Sequence, residues 1–358
     1  MKIALGMSGG VDSTMCALML LEAGHEVIGI TMAKWTPDSG INSADKRGCF
    51  GPSEPQVLSE ATAAAKRLGI EHHIIPLEDE FASDVLTYYR DTYLQGKTPN
   101  PCVICNRQIK FGALPRKAAA MGIVFDRFAT GHYARISYDD KAQRWQLHKA
   151  ADSRKDQSYF LSMLSQEQLA HSLFPLGSML KSEIKEFARK RGYDYLIKKK
   201  ESQDFLESND SSALFKGYNS EPGDFVNSKL EVLGKHKGLI HYTIGQRKGL
   251  ELAGFPEAQY VIGIDPEHNR VIIGPPRELF KDTLYAHALN WVSIAEPQGR
   301  FTCFAKIRLA QEPQACTVER MPDGSYYVKF HTAVSAITPG QVIAFYDSDR
   351  VLGAGFIL

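Results

Sequence analysis

Met7-Ser8-Gly9-Gly10-Val11-Asp12-Ser13 decides how this chain is read. The apolar run Ile3-Ala4-Leu5-Gly6-Met7 leads into it, and Thr14-Met15-Cys16-Ala17-Leu18-Met19-Leu20-Leu21 leads away with helical texture. Strand, glycine turn and helix therefore follow one another. Two adjacent glycines let backbone amides approach an anion closely, and the start of a helix adds unpaired N–H groups and the positive end of its dipole. Ser8 and Ser13 bring hydroxyl donors, and Asp12 is placed to hold Mg²⁺ through water or to accept a bond from the turn. The stretch reads as a pyrophosphate cradle built from Gly6, Met7, Ser8, Gly9, Gly10, Val11, Asp12 and Ser13. No Gly-Lys-Ser/Thr follows, which excludes the Walker pattern. The bland alternative is a glycine turn closed by an N-cap at Asp12 or Ser13.

Bulk properties bound the rest. At 358 residues the chain is long for one core and implies two or three domains. Hydrophobic residues at 44% and charged ones at 23% are those of a globular protein, and a net charge of +1 neither supports nor excludes nucleic acid. No apolar stretch approaches the roughly 20 residues that span a membrane, and Lys2 runs straight into a strand with no signal peptide. The six cysteines, 16, 49, 102, 105, 303 and 316, are too scattered for a disulfide scaffold. A reducing, cytoplasmic setting without a membrane partner is the expectation.

Strand and helix signals alternate up to about residue 125, the pattern of parallel βαβ units in a doubly wound sheet. Gly24 stops the first helix, and Glu26 to Met32 reads as a second strand. The polar stretch from Ala33 to Gly48 reads as a mobile loop. A helix through Val57, Ala61, Ala64, Ala65 and Leu68 precedes the strand His72 to Pro76. Helices are expected near Glu80–Leu94, Asn106–Ala120, Gln166–Leu173 and Lys181–Arg191, with a strand at Phe125–Thr130. From about Glu221 the texture turns to short strands and glycine turns, clearest at Leu239–Ile244, Tyr260–Ile264 and Val271–Ile273. More follow at Phe304–Leu309, Ala315–Glu319, Tyr326–Phe330, Val342–Tyr346 and Val351–Ile357, as in a small closed or sandwiched β-domain.

Longer motifs narrow the choice. The Ser-Gly-Gly-x-Asp-Ser loop resembles that of the ATP pyrophosphatases. Thr98-Pro99-Asn100-Pro101-Cys102-Val103-Ile104-Cys105-Asn106-Arg107 with Ile109-Lys110-Phe111-Gly112 resembles a signature of the tRNA-specific 2-thiouridylases. So do Ala129-Thr130-Gly131-His132-Tyr133-Ala134-Arg135, Lys155-Asp156-Gln157-Ser158-Tyr159-Phe160-Leu161 and Phe174-Pro175-Leu176-Gly177. Tyr242-Thr243-Ile244-Gly245-Gln246-Arg247-Lys248-Gly249-Leu250 and Ala336-Ile337-Thr338-Pro339-Gly340-Gln341 extend the likeness to the C-terminal end. The resemblance implies an adenine nucleotide alpha hydrolase-like catalytic domain at 1–208, a small mixed or β central domain at 209–277 that touches tRNA, and a C-terminal β-barrel-like domain at 278–358.

It also implies ATP with Mg²⁺ as cofactors, tRNA as substrate, and a sulfur donor such as a cysteine desulfurase, a sulfur carrier or sulfide. ATP would adenylate O2 of the wobble uridine, position 34, and a thiol-derived sulfur would displace AMP at C2. Met32 and Gly131 fall where the family contacts the nucleotide, and Lys155, Asp156, Gln157 and Arg308 where it contacts tRNA. The residues alone add Lys181, Lys185, Arg189, Lys190, Arg191 and Lys198-Lys199-Lys200, suited equally to phosphates or to a solvated helix face. Gln246-Arg247-Lys248 has the same two readings. His132 is placed to donate to a phosphate or to the uridine oxygen, or to pack at a strand end. Thiolation of another tRNA position, or a degenerate RNA- or cluster-binding protein, are the alternative functions.

The cysteines depart from the family pattern. Cys105 matches the usual nucleophile, whereas Cys102 replaces an aspartate. In Ser202-Gln203-Asp204-Phe205-Leu206, Leu206 stands where the family has its second, persulfide-bearing cysteine. Cys49 sits in the loop after the second strand, on the expected carboxyl edge of the sheet. Cys49, Cys102 and Cys105 can ligate a [4Fe–4S] cluster with one open iron. Alternatively Cys105 carries a persulfide that Cys49 or Cys102 resolves, or the thiols bind zinc with a histidine. Loss of the relay cysteine together with gain of Cys102 favours the cluster. Cys16, Cys303 and Cys316 read as small buried hydrophobes.

Overall fold

The computed structural model describes residues 1–46, 48–199, 204–218 and 220–358. Lys200, Ser202 and Gln203, named above, lie outside them.

Five parallel strands form the first sheet: β1 (Lys2–Gly6), β2 (Glu26–Ala33), β4 (Glu71–Pro76), β5 (Arg127–Thr130) and β8 (Ser172–Leu173), in the order β4-β2-β1-β5-β8. A separate pair is formed by β3 (Gly48–Phe50) and β9 (Asp204–Leu206), and β6 (Arg135–Asp139) with β7 (Arg144–His148) makes a hairpin between β5 and β8 in sequence. Successive residues of a strand face opposite sides of a sheet, and β1 shows this directly. Ile3 and Leu5 enter the core beneath α1 (Val11–Glu22), whereas Ala4 joins Ile28 and Ile30 of β2 in the core on the other face. Both faces are covered, which is why these strands read as continuous apolar runs.

The central domain has its own four-stranded sheet, β11 (Val232–His236), β10 (Gly223–Val226), β13 (Arg270–Gly274) and β12 (Tyr260–Asp265), around Phe225, Tyr242, Val261 and Val271. Leu239–Ile244 does not form the expected strand. Leu239–His241 is a 3₁₀ turn entered through Gly238 at φ 122, and its alternating apolar residues pack on that core from a loop.

The C-terminal strands are β14 (Phe280–Asn290), β15 (Phe301–Lys306), β16 (Gln314–Arg320), β17 (Tyr326–Ser335), β18 (Val342–Asp347) and β19 (Arg350–Ile357). They run β14-β17-β16-β15-β18-β19, and β14 pairs back with β19, closing an antiparallel barrel. The β6–β7 hairpin, far away in sequence, adds to this barrel through Arg350 opposite His148 and Val351 opposite Leu147. Leu147 N donates to Ser293 Oγ at 2.9 Å, and Arg135 pairs with Asp349 at 2.6 Å. The first domain is therefore stitched into the last one. Among the described residues no helix is long and apolar enough to cross a membrane.

Candidate active site

The loop after β1 is shaped for an anion. Gly9 has φ +68, and a Cβ there would come within 2.7 Å of the backbone of Glu60 and Ala61 in α2 (Glu54–Leu68), so only glycine fits. Ser8 N donates to Ser13 Oγ at 3.2 Å, and Thr14 Oγ1 donates to Gly10 O at 2.8 Å. Gly10 precedes α1 in extended backbone with no side-chain cap, so the first-turn amides of α1 have no intrahelical acceptor. Met7 is buried; its N–H donates to Ile30 O and its carbonyl accepts from Thr31 Oγ1. Val11 packs into the core beneath. Gly131 closes on the loop from β5, where a Cβ would stand 3.1 Å from Ser13 N. Gly6 and Met32, at the ends of β1 and β2, border the same edge.

Asp12 is committed within the protein. Lys181 Nζ lies 2.7 Å from both of its carboxylate oxygens, and Tyr133 donates its hydroxyl at 2.7 Å. Lys181 is thus a buried partner of the loop, and no part of an exposed basic face. Arg191 pairs with Glu22, Lys190 with Glu186 and Lys199 with Glu60. Sequence reasoning missed the Lys181–Asp12 pair. The available signal was a lysine starting a helix immediately after an apolar turn.

The cysteine helix starts at Pro101, and its N-cap is Asn100, whose Oδ1 accepts from Val103 N at 3.3 Å. Cys102 and Cys105 are both partly open yet crowded. Burial pushes the Cys102 thiol up to about 12, reinforced by neighbouring Cys49 and Cys105. Burial also raises Cys105, while the ammonium groups of Lys110 and Lys34 pull it back down. Lys34 follows β2 and is itself held by Glu54 at 2.6 Å. Cys49 is exposed on β3. Opposite Phe50 on that strand is Leu206 of β9, and Leu206 is buried in the main core. Glu207 N donates to Phe50 O and Ser53 N to Glu207 Oε2, fastening the Cys49 loop to the strand that holds Leu206. Cys49, Cys102 and Cys105 therefore share one neighbourhood. Among the described residues, no three His, Cys, Asp or Glu side chains are placed to hold a metal ion.

His132 is buried against Phe111 and Phe174, and its Nδ1 lies 2.7 Å from Thr130 Oγ1. Burial first, then Lys110, holds it well below the ordinary imidazole range, so it is neutral. In the turn after β7, Asp156 Oδ1 accepts from Ala150 N and Ser158 N, and Gln157 Oε1 accepts from Tyr133 N. Lys155 N donates to Asp152 O in the same turn. Arg308 donates through one Nη2 to Ile244 O at 2.7 Å and to Thr338 Oγ1 at 2.6 Å, bridging the central and C-terminal domains. Gln246 folds back on its own turn through Thr243 N, leaving Arg247 and Lys248 exposed.

A parallel sheet with a phosphate-shaped loop and a thiol group on its carboxyl edge defines a nucleotide-dependent enzyme of the alpha hydrolase type. Comparison with known proteins narrows this. The family model described as "tRNA methyl transferase HUP domain" matches residues 1–206, "tRNA methyl transferase PRC-barrel domain" matches 212–275, and "Aminomethyltransferase beta-barrel domain" matches 281–357. The tRNA-specific 2-thiouridylase MnmA of Acetivibrio thermocellus is 41% identical over 361 residues, covering 99% of both chains. Those of Symbiobacterium thermophilum and Magnetococcus marinus are 42% identical, covering 99% and 100% of this chain and 92% and 99% of theirs. A solved 4-thiouridine synthetase–RNA complex with bound ATP is a distant likeness, 17% identical with a TM-score of 0.37 over 59% of this chain and 46% of that one. The chain belongs to the tRNA-specific 2-thiouridylase family, whose members are tRNA sulfurtransferases.

Proposed function

We propose that this protein replaces O2 of uridine 34 in tRNA by sulfur at the expense of ATP. The observation that carries the reading is that the Ser8–Ser13 loop and Lys34 follow neighbouring parallel strands at one sheet edge, and Lys34, with Lys110, stands near enough to Cys105 to offset part of the burial that raises that thiol. Uridine O2 attacks the α-phosphorus of ATP and pyrophosphate leaves into the loop. Gly131 and Met32 border the nucleotide. Mg²⁺ would be held chiefly by the nucleotide phosphates, whose charge it would neutralise, with Asp12, already paired with Lys181, reaching it through water. The loss of pyrophosphate turns a poor leaving group into AMP.

Sulfur then has to reach C2. The terminal sulfur of a Cys105 persulfide attacks C2 and AMP departs with O2, leaving a mixed disulfide between Cys105 and the base. A second thiolate attacks the Cys105 sulfur, forms a protein disulfide and releases the thiouridine, and a small cellular thiol reduces that disulfide. Cys49 suits the second role: it is the exposed thiol of the group and stands near enough to Cys105 for its charge to act on that thiol. Among the described residues no three His, Cys, Asp or Glu side chains are placed to hold the cluster expected from the cysteine pattern, and in this reading the persulfide carries the sulfur. Lys155, with Asp156 and Gln157 shaping its turn, and Arg308, with the exposed Arg247 and Lys248 near it along the central domain, are the tRNA contacts of this reading.

The test uses an unmodified tRNA transcript, ATP and a persulfide donor, with nucleoside mass spectrometry and pyrophosphate release read in parallel. Cys105→Ser and Cys49→Ser abolish 2-thiouridine while pyrophosphate release continues. Thiolation of a different nucleotide, or no thionucleoside from the wild-type protein, overturns the proposal. Iron content of anaerobically purified protein decides the sulfur route: activity without iron supports the persulfide, and about four irons per chain required for activity replace it with the cluster.

A further inference from the structure

The segment that precedes the cysteine helix cannot satisfy itself. Pro99 and Pro101 lack N–H groups and Thr98 to Asn100 joins no ladder, so the carbonyls of Thr98 and Pro99 need donors from elsewhere. The barrel supplies them. Gln341 Nε2 donates to Pro99 O at 2.7 Å and to Thr98 O at 3.2 Å, and Gln341 Oε1 accepts from Asn100 Nδ2 at 3.3 Å. Thr98 N donates to Pro339 O at 2.9 Å. Gly340, at φ +85, lies so close that a Cβ would stand 2.8 Å from Thr98 O. From the central domain, Thr243 Oγ1 accepts from Thr98 Oγ1 at 3.2 Å.

Asn100 is the N-cap of the helix that carries Cys102 and starts the turn of Cys105, and its amide nitrogen is the group Gln341 holds. Asn100 N also donates to Tyr88 OH, so the cap residue is fixed on three sides and nearly buried. One side chain of the C-terminal barrel thereby shares in anchoring the start of the helix that carries the thiols of the first domain.

We propose that Gln341 is a positioning residue for the sulfur-transfer half of the reaction, acting through Asn100 on Cys102 and Cys105. The proposal rests on the thiolation reading above. It separates the two halves of the chemistry: the pyrophosphate loop receives nothing from Gln341, whereas the cysteine helix receives its N-terminal anchor. Misplacement of a reacting group by about 1 Å costs up to roughly a hundredfold in rate.

The experiment compares wild-type protein with Gln341→Ala and the milder Gln341→Asn. Pyrophosphate release, 2-thiouridine formation and the alkylation rates of Cys102 and Cys105 by iodoacetamide without tRNA are measured for each. The expected result is a fall of about tenfold or more in thiouridine formed per pyrophosphate released. Alkylation of the two cysteines should change severalfold, with the asparagine variant intermediate. Parallel loss of both half-reactions, or unchanged thiouridine yield and unchanged alkylation, overturns the proposal. The alkylation readout needs no turnover, so it stands even if the wild-type protein proves to thiolate nothing. A Gln341→Ala variant that does not fold leaves Gln341→Asn to decide on the same terms.

Discussion

Lys181 and Asp12 form a two-pronged ion pair, with Nζ 2.7 Å from each carboxylate oxygen, beneath the glycine loop of Ser8 to Ser13. Tyr133 adds its hydroxyl to one oxygen, and Lys181 N donates to Asp152 Oδ2 at 3.0 Å. Tyr133 in turn shares two hydrogen bonds with Gln157. The acid of the loop is therefore tied, through Tyr133, to the turn that holds Lys155 and Asp156.

Removing the cation leaves a carboxylate facing a largely buried vacancy. Lys181→Met should destabilise the fold by about 3 kcal/mol, at the low end for a buried pair because Asp12 keeps some exposure. Urea unfolding measures this. The double variant with Asp12→Asn should recover part of the loss, because the stranded charge is gone. Additive losses would show that the pair is not coupled.

Gly9→Ala tests the loop itself. The added methyl must occupy space 2.7 Å from the backbone of α2 at a φ of +68. The left-handed conformation alone costs roughly 1 kcal/mol, and neither the loop nor α2 can yield without moving backbone. ATP affinity should fall more than tenfold by isothermal titration, with the far-UV spectrum retained. Unchanged ATP affinity would remove this loop as the phosphate site.

The glycine turn between β1 and α1, the alternation of strand and helix that builds the parallel sheet, and the texture of the barrel were legible because each is written in local pattern. Ile3 to Leu5 alternates between two cores, and glycine follows where the chain must turn. What was not legible is made by residues distant in sequence. The hairpin Arg135 to His148 joins the barrel through Arg350 and Val351, a pairing no local period reveals. Lys181 reads as a phosphate contact or a solvated cation until the fold places Asp12 against it. The Thr98–Pro101 segment and the Thr338–Gln341 turn each looked like a motif, and only the fold shows that one holds the other.

Cys102 gives a pH dependence with a definite sign. Its folded pKa is pushed up to about 12 from an ordinary 9.0, mainly by burial. Below pH 9 both states hold the proton and Cys102 contributes no pH dependence. Between pH 9 and about 12 the unfolded chain releases the proton and the folded chain does not, so stability falls as pH rises. Cys102→Ser removes that loss. The stability difference between variant and wild type should shift in favour of the variant by up to about 1.4 kcal/mol per pH unit above 9. Urea midpoints at pH 8 and pH 10.5 measure it, and a difference that does not move with pH excludes a buried Cys102 thiol.

Leu206 stands where the resemblance of the Ser202–Leu206 segment puts the family's second cysteine, and a cysteine there should not restore a relay. Leu206 lies opposite Phe50 in the β3–β9 register and is buried in the core, while Cys49 of the same strand is exposed. Leu206→Cys replaces a packed side chain by a smaller one at a cost of about 2 kcal/mol. A thiol there has its protonated form favoured by burial and faces away from solvent donors. In a Cys49→Ser background, Leu206→Cys should therefore leave 2-thiouridine formation absent, as nucleoside mass spectrometry reads it. Recovery of thiolation in the double variant would mean that the strand pair opens during turnover and that the second thiol need not start on Cys49.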